Sequence, residues 1–339
     1  MTQRSRPYLK YTVSILLTIF FLYLAFRGTK FEGLYASLMG ANYWWILAMF
    51  TCLMVSHLLR AWRWRYLLEP IKAQIRFRNL FSSLIVGYMM NNVLPRAGEI
   101  VRPYTIGKLE SIPASAAFGT IVVERIIDTA TFILLIVMMP LLYDGPLRDA
   151  FPWLGRAGIL ISCITLGFLI FVVTLMMRRD WTDVLLRIVG GVLPRKLSDR
   201  IDSMTHSFLD GFLFLKRPAN FLIILALSIL VWGMYIAMTY LAFFAFKLDH
   251  LGVRGATVVL AISSIGIAIP TPGATGSYHV FTSQTLTRLF GVSSEVALSY
   301  ATATHAIGFI GVTLVGLYYF WKNHIKISEA VGKTRAEQQ

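Results

Sequence analysis

The feature that most constrains this chain is a series of apolar runs, each about as long as a membrane-spanning helix. A helix crosses the hydrocarbon core of a bilayer with about 20 apolar residues. The 339 residues are 56% hydrophobic and only 14% charged, against roughly 45–50% and about 25% in soluble domains, which excludes a soluble fold. We therefore predict an all-α polytopic membrane protein with about six transmembrane helices. The predicted spans are Leu9–Phe26, Tyr43–Leu59, Ala117–Leu142, Gly158–Met177, Phe221–Phe246 and Val296–Trp321.

Two further apolar stretches, Leu80–Leu94 and Ala256–Ile269, are too short to span and end in breaks rich in Pro and Gly. Irregular backbone at membrane depth is tolerated only where it is buried in protein or lines a wet cavity. We predict that both stretches form re-entrant helical hairpins. The residues that break them are Pro95 and Gly98 in the first, and Pro270, Pro272, Gly273 and Gly276 in the second.

The distribution of basic residues predicts the orientation of the chain. The net charge is +15, and Lys and Arg accumulate on the cytoplasmic side of membrane proteins. With six spans and two re-entrant hairpins, both termini are cytoplasmic and most Lys and Arg, including Arg60 and Arg63 after the second span, fall on that side. We predict a multi-pass protein of the cytoplasmic (inner) membrane and no nucleic-acid partner. An alternative topology, in which both hairpins cross the membrane fully, remains open. It changes the predicted side of the membrane only for residues 143–295.

The chain is predicted to form a single membrane domain over residues 1–325, followed by a mobile cytoplasmic tail over 326–339. The one long polar segment, residues 180–218, is too short for a separate domain. Leu197, Ile201, Met204 and Phe208 recur in it at helical spacing, which predicts an amphipathic helix at the cytoplasmic interface.

The two halves of the chain show a weak internal symmetry. Each contains an apolar segment, a Pro-x-x-Gly break, a short helix and then a span with polar residues near its start, Glu124-Arg125 in one half and Thr304-His305 in the other. Hairpins that enter from opposite sides are typical of an inverted-topology repeat, which places substrate near the midplane between broken segments. Chance similarity is the alternative interpretation.

Charged residues inside a predicted span are the strongest functional indication. The span Ala117–Leu142 carries Glu124, Arg125 and Asp128, although each charge at a helix centre costs about 2.5–3.5 kcal/mol on insertion scales. Glu124 and Asp128 lie on one helix face, and Arg125 is spaced to pair with Asp128. A polar substrate path is the functional interpretation. A buried ion-pair network that only fixes packing is the structural one.

The first break adds polar residues that suit an anion. Arg96, Glu99 and Arg102 are spaced three apart, so a helix after Pro95 would stack them beside its free backbone N–H groups, which favour phosphate. These side chains could instead simply cap a loop. The second break is equally typical of a structural kink, and His305 of hydrogen-bonded packing as much as of a proton relay.

Three motifs together resemble a known family. Asn91-Asn92-Val93-Leu94-Pro95-Arg96-Ala97-Gly98-Glu99, then Glu124-Arg125-Ile126-Ile127-Asp128, and later Pro270-Thr271-Pro272-Gly273-Ala274-Thr275-Gly276 resemble the flippase-like transmembrane domain of lysylphosphatidylglycerol synthases. The resemblance runs from about Tyr8 to Trp321 and implies a lipid translocase. The bifunctional relatives carry a soluble aminoacyltransferase domain after the membrane part, whereas this chain has only a short segment there. The resemblance therefore does not imply that the substrate has a lysyl headgroup.

These observations predict a lipid translocase that moves a phospholipid or a lipid-linked polar headgroup between leaflets. An integral-membrane transferase acting on a lipid-linked substrate is the alternative, because Glu124 and Asp128 could supply two metal ligands. We find no catalytic motif, and we predict no enzyme activity, metal or cofactor. The predicted partners are anionic, aminoacylated or polyprenyl-phosphate-linked lipids, with a separate lipid-modifying enzyme as a further candidate and the oligomeric state open. The predicted substrate-binding residues are Asn91, Asn92, Arg96, Glu99, Arg102, Glu124, Arg125, Asp128, Thr304 and His305.

Overall fold

The computed structural model describes residues 6–143 and 218–325, with isolated positions between 145 and 210. Ten α-helices have both ends within these residues, and no strand occurs among them. They are α1 (Arg6–Phe26), α2 (Phe31–Met39), α3 (Tyr43–Leu68), α4 (Phe77–Val93), α5 (Gly98–Glu110), α6 (Ala114–Leu142), α7 (Pro218–Ala245), α8 (Gly252–Ala268), α9 (Ser277–Phe290) and α10 (Ser294–Lys322).

The all-helical membrane architecture predicted from the sequence is confirmed. Among the described residues, four helical stretches are long and apolar enough to cross a bilayer, Tyr43–Leu68, Asn220–Ala245, Asp249–Ala268 and Ser294–Lys322. Helices α1 and α2 make a fifth if their 88° bend lies within one span. The predicted span Gly158–Met177, the amphipathic segment 180–218 and the tail 326–339 lie largely or wholly outside the described residues, so the count of six spans stays a prediction.

Both predicted breaks join two packed helices. In the first hairpin α4 packs on α5, and in the second α8 packs on α9. Gly98 lies so close to α4 that a Cβ on it would clash with the carbonyl oxygen of Gly87, and a Cβ on Gly266 would lie 2.9 Å from the carbonyl oxygen of Ser277. Small residues therefore let each pair of backbones meet just beside the break.

The second hairpin differs from the sequence expectation in length. We predicted a short stretch over Ala256–Ile269, whereas a 3₁₀ turn at Asp249–Leu251 and α8 together give a helical stretch of 20 residues, long enough to cross. The re-entrant and fully crossing alternatives for this stretch therefore both remain compatible with its length.

Hydrogen bonds close the open end of the first hairpin. The carboxylate of Glu110 accepts from Lys72 Nζ and Asn79 Nδ2, both at 2.7 Å, and from the backbone N–H of Arg76 at 3.2 Å. Burial alone would raise the pKa of Glu110, but these donors lower it below its ordinary value. The start of α4 and the end of α5 are thus held together at the base of the hairpin.

The helices of the two halves correspond in length and packing. Helices α3 to α6 contain 26, 17, 13 and 29 residues, and α7 to α10 contain 28, 17, 14 and 29. Helix α4 packs on α10, and α8 packs on α6, so each hairpin contacts the last helix of the other half. The hairpin breaks consequently come close together, with α4 in contact with the turn at Pro272–Ala274.

Helices α3 and α7, which begin the two halves, pack along each other in opposite directions. The N–H of Asn42, just before α3, donates to the carbonyl of Ala245 at the end of α7 over 3.0 Å. At the other end, Asn220 Nδ2 donates to Glu69 Oε2 over 2.7 Å. Arg60 and Tyr235 stand equally far from the start of their helices, and Arg60 Nε donates to Tyr235 Oη over 2.6 Å.

Candidate functional site

A cavity of about 640 Å³ lies between the two hairpin breaks. It is lined from both halves of the chain, by α3, α4, α5 and α6 on one side and by α7 to α10 on the other. The predicted site and break residues that line it are Asn91, Asn92, Pro95, Arg96, Glu99, Arg125, Pro270, Gly273, Thr304 and His305. The structure thus brings seven of the ten predicted substrate-binding residues to one cavity.

The other three predicted residues, Arg102, Glu124 and Asp128, form a buried ion cluster behind the cavity wall. Glu124 is fully buried and accepts from Arg102 through both carboxylate oxygens, at 2.8 and 3.2 Å. The Arg102 guanidinium also stacks 3.8 Å from the ring centre of Trp64. The Arg102 guanidinium is therefore bonded to Glu124 and stacked on Trp64.

Two further arginines of this cluster come from α3. Arg60 bridges the two carboxylates of α6, with Nη1 at 2.9 Å from Glu124 Oε1 and Nη2 at 2.9 Å from Asp128 Oδ2. Arg63 Nη2 lies 2.9 Å from Asp128 Oδ1, and its Nη1 donates to Ser228 Oγ over 3.0 Å. Both arginines are at most 5% exposed. The sequence placed both arginines after the second span, whereas α3 continues to Leu68 and buries them inside the protein.

Arg125 is the arginine of this cluster that opens onto the cavity. Its side chain is 44% exposed, while Glu124, which lies 2.9 Å from its Nη2, is completely buried. Asp128 Oδ2 lies 3.7 Å from the same nitrogen, as the i, i+3 spacing predicted. Arg125 therefore offers guanidinium hydrogens to the cavity while its carboxylate partners hold it from behind.

A smaller gap of about 30 Å³ lies between α4, α5 and α6, next to Arg125. It is lined by Asn91, Glu99, Arg102 and Arg125, among others. This volume is enough for one water molecule or one phosphate oxygen. The gap extends the polar end of the cavity toward the buried ion cluster.

The backbone N–H groups at the start of α5 are not free, contrary to the sequence expectation. The N–H of Gly98 donates to Asn91 Oδ1 over 2.8 Å, and that of Glu99 to the carbonyl of Arg96 over 3.2 Å. Ile100 and Val101 both donate to the carbonyl of Ala97. A tight turn, with Arg96 at φ 63°, thus satisfies these donors locally, so anion binding in this region depends on side chains.

The second break presents polar side chains, none of them Lys, Arg, Asp or Glu, to the same cavity. His305 Nε2 lies 2.8 Å from the carbonyl oxygen of Gly273, and Tyr278 Oη lies 3.1 Å from Thr304 Oγ1. The rings of His279 and His305 stand 4.8 Å apart. Gly276, with φ 84°, packs against α1, where a Cβ would lie 2.9 Å from the carbonyl oxygen of Thr18, and Pro272 begins a 3₁₀ turn.

Asn92 links the first break to α10. Its Nδ2 donates to the carbonyl of Phe309 at 3.2 Å and to Thr313 Oγ1 at 2.9 Å, both on α10.

Among the residues that the structure describes, no group of three or more His, Cys, Asp or Glu side chains is arranged to bind a metal ion.

Comparison with known proteins places these features in a family. The family described as the lysylphosphatidylglycerol synthase TM region matches residues 11–316. A UPF0104 membrane protein of Methanothermobacter thermautotrophicus is 29% identical over 293 residues, which cover 80% of each chain. A UPF0104 membrane protein of Methanocaldococcus jannaschii is 40% identical over 91 residues, 26% of this chain and 27% of that one. No solved structure matches the chain.

Proposed function

Because the chain belongs to the family of the lysylphosphatidylglycerol synthase TM region, whose members are membrane domains associated with lipid handling, we propose that it is a lipid translocase. It moves a phospholipid or a lipid-linked headgroup between the leaflets of the cytoplasmic membrane. The observation that carries this proposal is the cavity of about 640 Å³ between the breaks, with Arg125 exposed at one end.

The roles of the site residues follow from their positions. Arg125 and Arg96 line the cavity and bind the phosphate of the headgroup, since a guanidinium donates to phosphate through two parallel hydrogen bonds. Arg102, Glu124 and Asp128 lie behind them and orient Arg125 through the ion cluster. Asn91, Asn92, Glu99, Thr304 and His305 contact the polar remainder of the headgroup.

The arrangement of the two halves of the chain supports transport by alternating access. Similar helix lengths, cross-packed hairpins and antiparallel α3 and α7 support an inverted-topology repeat. We propose that both termini lie in the cytoplasm. Inverted-topology repeats alternate access by moving one half against the other around a central site. We propose that the headgroup crosses between the breaks while its acyl chains stay in lipid.

A leaflet-transfer assay tests the proposal. The purified protein is reconstituted into liposomes carrying tail-labelled fluorescent phosphatidylglycerol or phosphatidic acid, and transfer is followed by chemical quenching of the outer leaflet. Losing a charged hydrogen-bond donor costs about 1.5–3 kcal/mol, so Arg125→Gln is expected to slow transfer by roughly 10- to 100-fold. Arg96→Ala is expected to slow it as well.

The control is Arg65→Gln, because Arg65 lies on α3 two residues beyond the buried Arg63 but is itself exposed. It should transfer lipid at the wild-type rate. Wild-type protein that moves neither lipid faster than empty liposomes contradicts a translocase. The transferase alternative predicts instead a covalently modified lipid that depends on a divalent metal, and mass spectrometry of the same liposomes detects it.

A further inference from the structure

The charges around the polar end of the cavity do not balance. The buried cluster contains four arginines, Arg60, Arg63, Arg102 and Arg125, and two carboxylates, Glu124 and Asp128. Arg96 and Glu99 also line the cavity and offset each other. Among the described residues, this end of the cavity therefore has an excess of two positive charges.

Three of the four arginines that produce this excess are buried away from water. Arg60, Arg63 and Arg102 are at most 5% exposed, and Glu124 and Asp128 are 0% and 8% exposed. Charges removed from water are stable only when they are paired. Both carboxylates already contact several arginines, so the balancing charge has to come from outside the cluster.

Within the described part of the chain, the ion cluster is accessible to an external anion at Arg125. Arg125 turns 44% of its side chain toward the cavity, and the gap of about 30 Å³ beside it reaches Arg102. The described residues that line the cavity near the second break include no Lys, Arg, Asp or Glu side chain, and His305 and Tyr278 there are hydrogen-bonded to Gly273 and Thr304. An anion bound at Arg125 thus faces the whole positive excess.

We infer that the cavity selects a headgroup with two negative charges, a terminal phosphomonoester or a pyrophosphate, over a phosphodiester with one. Arg125 is the residue that determines this selection. The inference rests on the proposed function and names its substrate class. A dianion neutralises the two uncompensated charges, whereas a diester leaves one of them buried and unpaired.

Lipid competition tests the selectivity. Detergent-solubilised protein is equilibrated with equal amounts of phosphatidic acid and phosphatidylglycerol of the same acyl chains, and bound lipid is quantified by native mass spectrometry at pH 8 and pH 5. We expect at least about a tenfold preference for phosphatidic acid at pH 8. A phosphomonoester has its second pKa near 6, so the preference should fall at pH 5.

Phosphatidylglycerol serves as the internal reference for pH effects of the protein. Other titratable or charged groups lining the cavity are His57 on α3, Tyr88 on α4, Arg96 and Glu99 in the first hairpin, and Tyr278, Tyr300 and His305 on α9 and α10. Their protonation acts on both lipids, whereas the second ionisation exists only in phosphatidic acid. The ratio of the two bound lipids therefore removes the pH effects that both lipids share.

Variants of Arg125 test its role. Arg125→Gln reduces the excess to one positive charge, so the preference is expected to fall to nearly equal binding of the two lipids. Arg125→Lys keeps the charge and should keep most of the preference, and the exposed Arg65→Gln should leave it unchanged. Glu124 retains Arg60 and Arg102 in each variant of Arg125, which preserves the ion cluster.

The outcomes separate this inference from the proposed function. Equal binding of both lipids at pH 8, unaffected by Arg125→Gln, overturns the dianion inference and leaves translocation of anionic lipid standing. Binding of neither lipid overturns both. Protection from thermal unfolding by inorganic phosphate but not by phosphatidic acid supports a dianion site and contradicts a lipid headgroup as its occupant.

Discussion

At the scale of single residues, the ion cluster divides four arginines into two roles. Arg60, Arg63 and Arg102 are buried and form ion pairs with Glu124 and Asp128, while Arg125 has a side chain that is 44% exposed. A guanidinium held from behind by carboxylates loses little conformational freedom when it binds an anion. The buried residues thus make Arg125 a pre-organised donor.

The cluster is expected to be sensitive to the loss of either carboxylate. Asp128→Asn leaves Arg63 without its closest partner, at 2.9 Å, and raises the positive excess. Removing one member of a buried ion pair costs about 3–5 kcal/mol, and we expect a loss of that size in the free energy of unfolding, measured by titration with SDS in mixed micelles.

Adding Arg63→Gln to Asp128→Asn restores the original net charge and should recover part of the loss. Arg63→Gln alone should cost less than Asp128→Asn, because Asp128 keeps Arg60. Strictly additive effects of the two substitutions would show that Arg63 and Asp128 do not interact in the folded protein.

The sequence identified both carboxylates of this cluster and two of its four arginines, Arg102 and Arg125, but missed Arg60 and Arg63. Glu124 and Asp128 stand out because charges within an apolar span need partners. Arg60 and Arg63 do not stand out, because they follow an apolar run where basic residues commonly mark a cytoplasmic loop. The available signal was their helical spacing, because Arg60 and Arg63 lie on the same helix face as Ser56 and Leu67. The structure buries this face, whereas Arg65 stays exposed.

At the scale of elements, the breaks fold as tight helical hairpins because glycine permits close backbone contact. Gly98 meets Gly87 across the first hairpin, and the N–H of Gly98 is satisfied by Asn91 Oδ1. A side chain at Gly98 would separate α4 from α5 and displace Glu99 and Arg102, which follow it in the same helix.

We expect Gly98→Ala to destabilise the protein by about 3 kcal/mol or more, since overpacking costs typically 1–3 kcal/mol and this clash is with backbone. Gly233→Ala is the matched control, because Gly233 lies within α7 with no atom within 4 Å of an added Cβ. That change should be neutral or stabilise by up to about 1 kcal/mol. Thermal unfolding followed by tryptophan fluorescence in detergent compares the two. Equal melting temperatures for both variants would disprove the close approach at Gly98.

Helix positions were well predicted where apolar runs were long, and poorly predicted at turns. The predicted span Val296–Trp321 corresponds to α10 at Ser294–Lys322, and Phe221–Phe246 to α7 at Pro218–Ala245. The separate helix α2 was missed, because its 88° bend from α1 depends on a local turn at Gly28, with φ 79°. Backbone conformation at one residue leaves no trace in hydropathy, so such bends escape a search for apolar runs.

At the scale of the whole molecule, the two halves share one cavity but differ in its chemistry. Arg125 and His305 stand equally far from the starts of α6 and α10, as do Glu99 and Tyr278 from the starts of α5 and α9. The first half therefore has Arg125 and Glu99 where the second half has His305 and Tyr278. In the proposed translocase, these unlike side chains allow a headgroup to bind at one break while the other break moves.

Alternation between the halves requires the breaks to separate during transport. They are in contact in this structure, because the Cβ position of Gly273 lies 3.2 Å from Asn92 Oδ1 and Ala274 lines the same cavity as Asn92. Cysteines at Asn92 and Ala274, in a chain with Cys52 and Cys163 replaced by Ser, can be joined by a short reducible bis-thiosulfonate cross-linker. We expect the cross-link to slow leaflet transfer by at least about tenfold, the effect of roughly 1.4 kcal/mol on a rate, and reduction to restore it. Each single-cysteine variant treated with the same reagent controls for blocking of the cavity by the label. Transfer at the unmodified rate in fully cross-linked protein would show that the headgroup crosses without separation of the two hairpins.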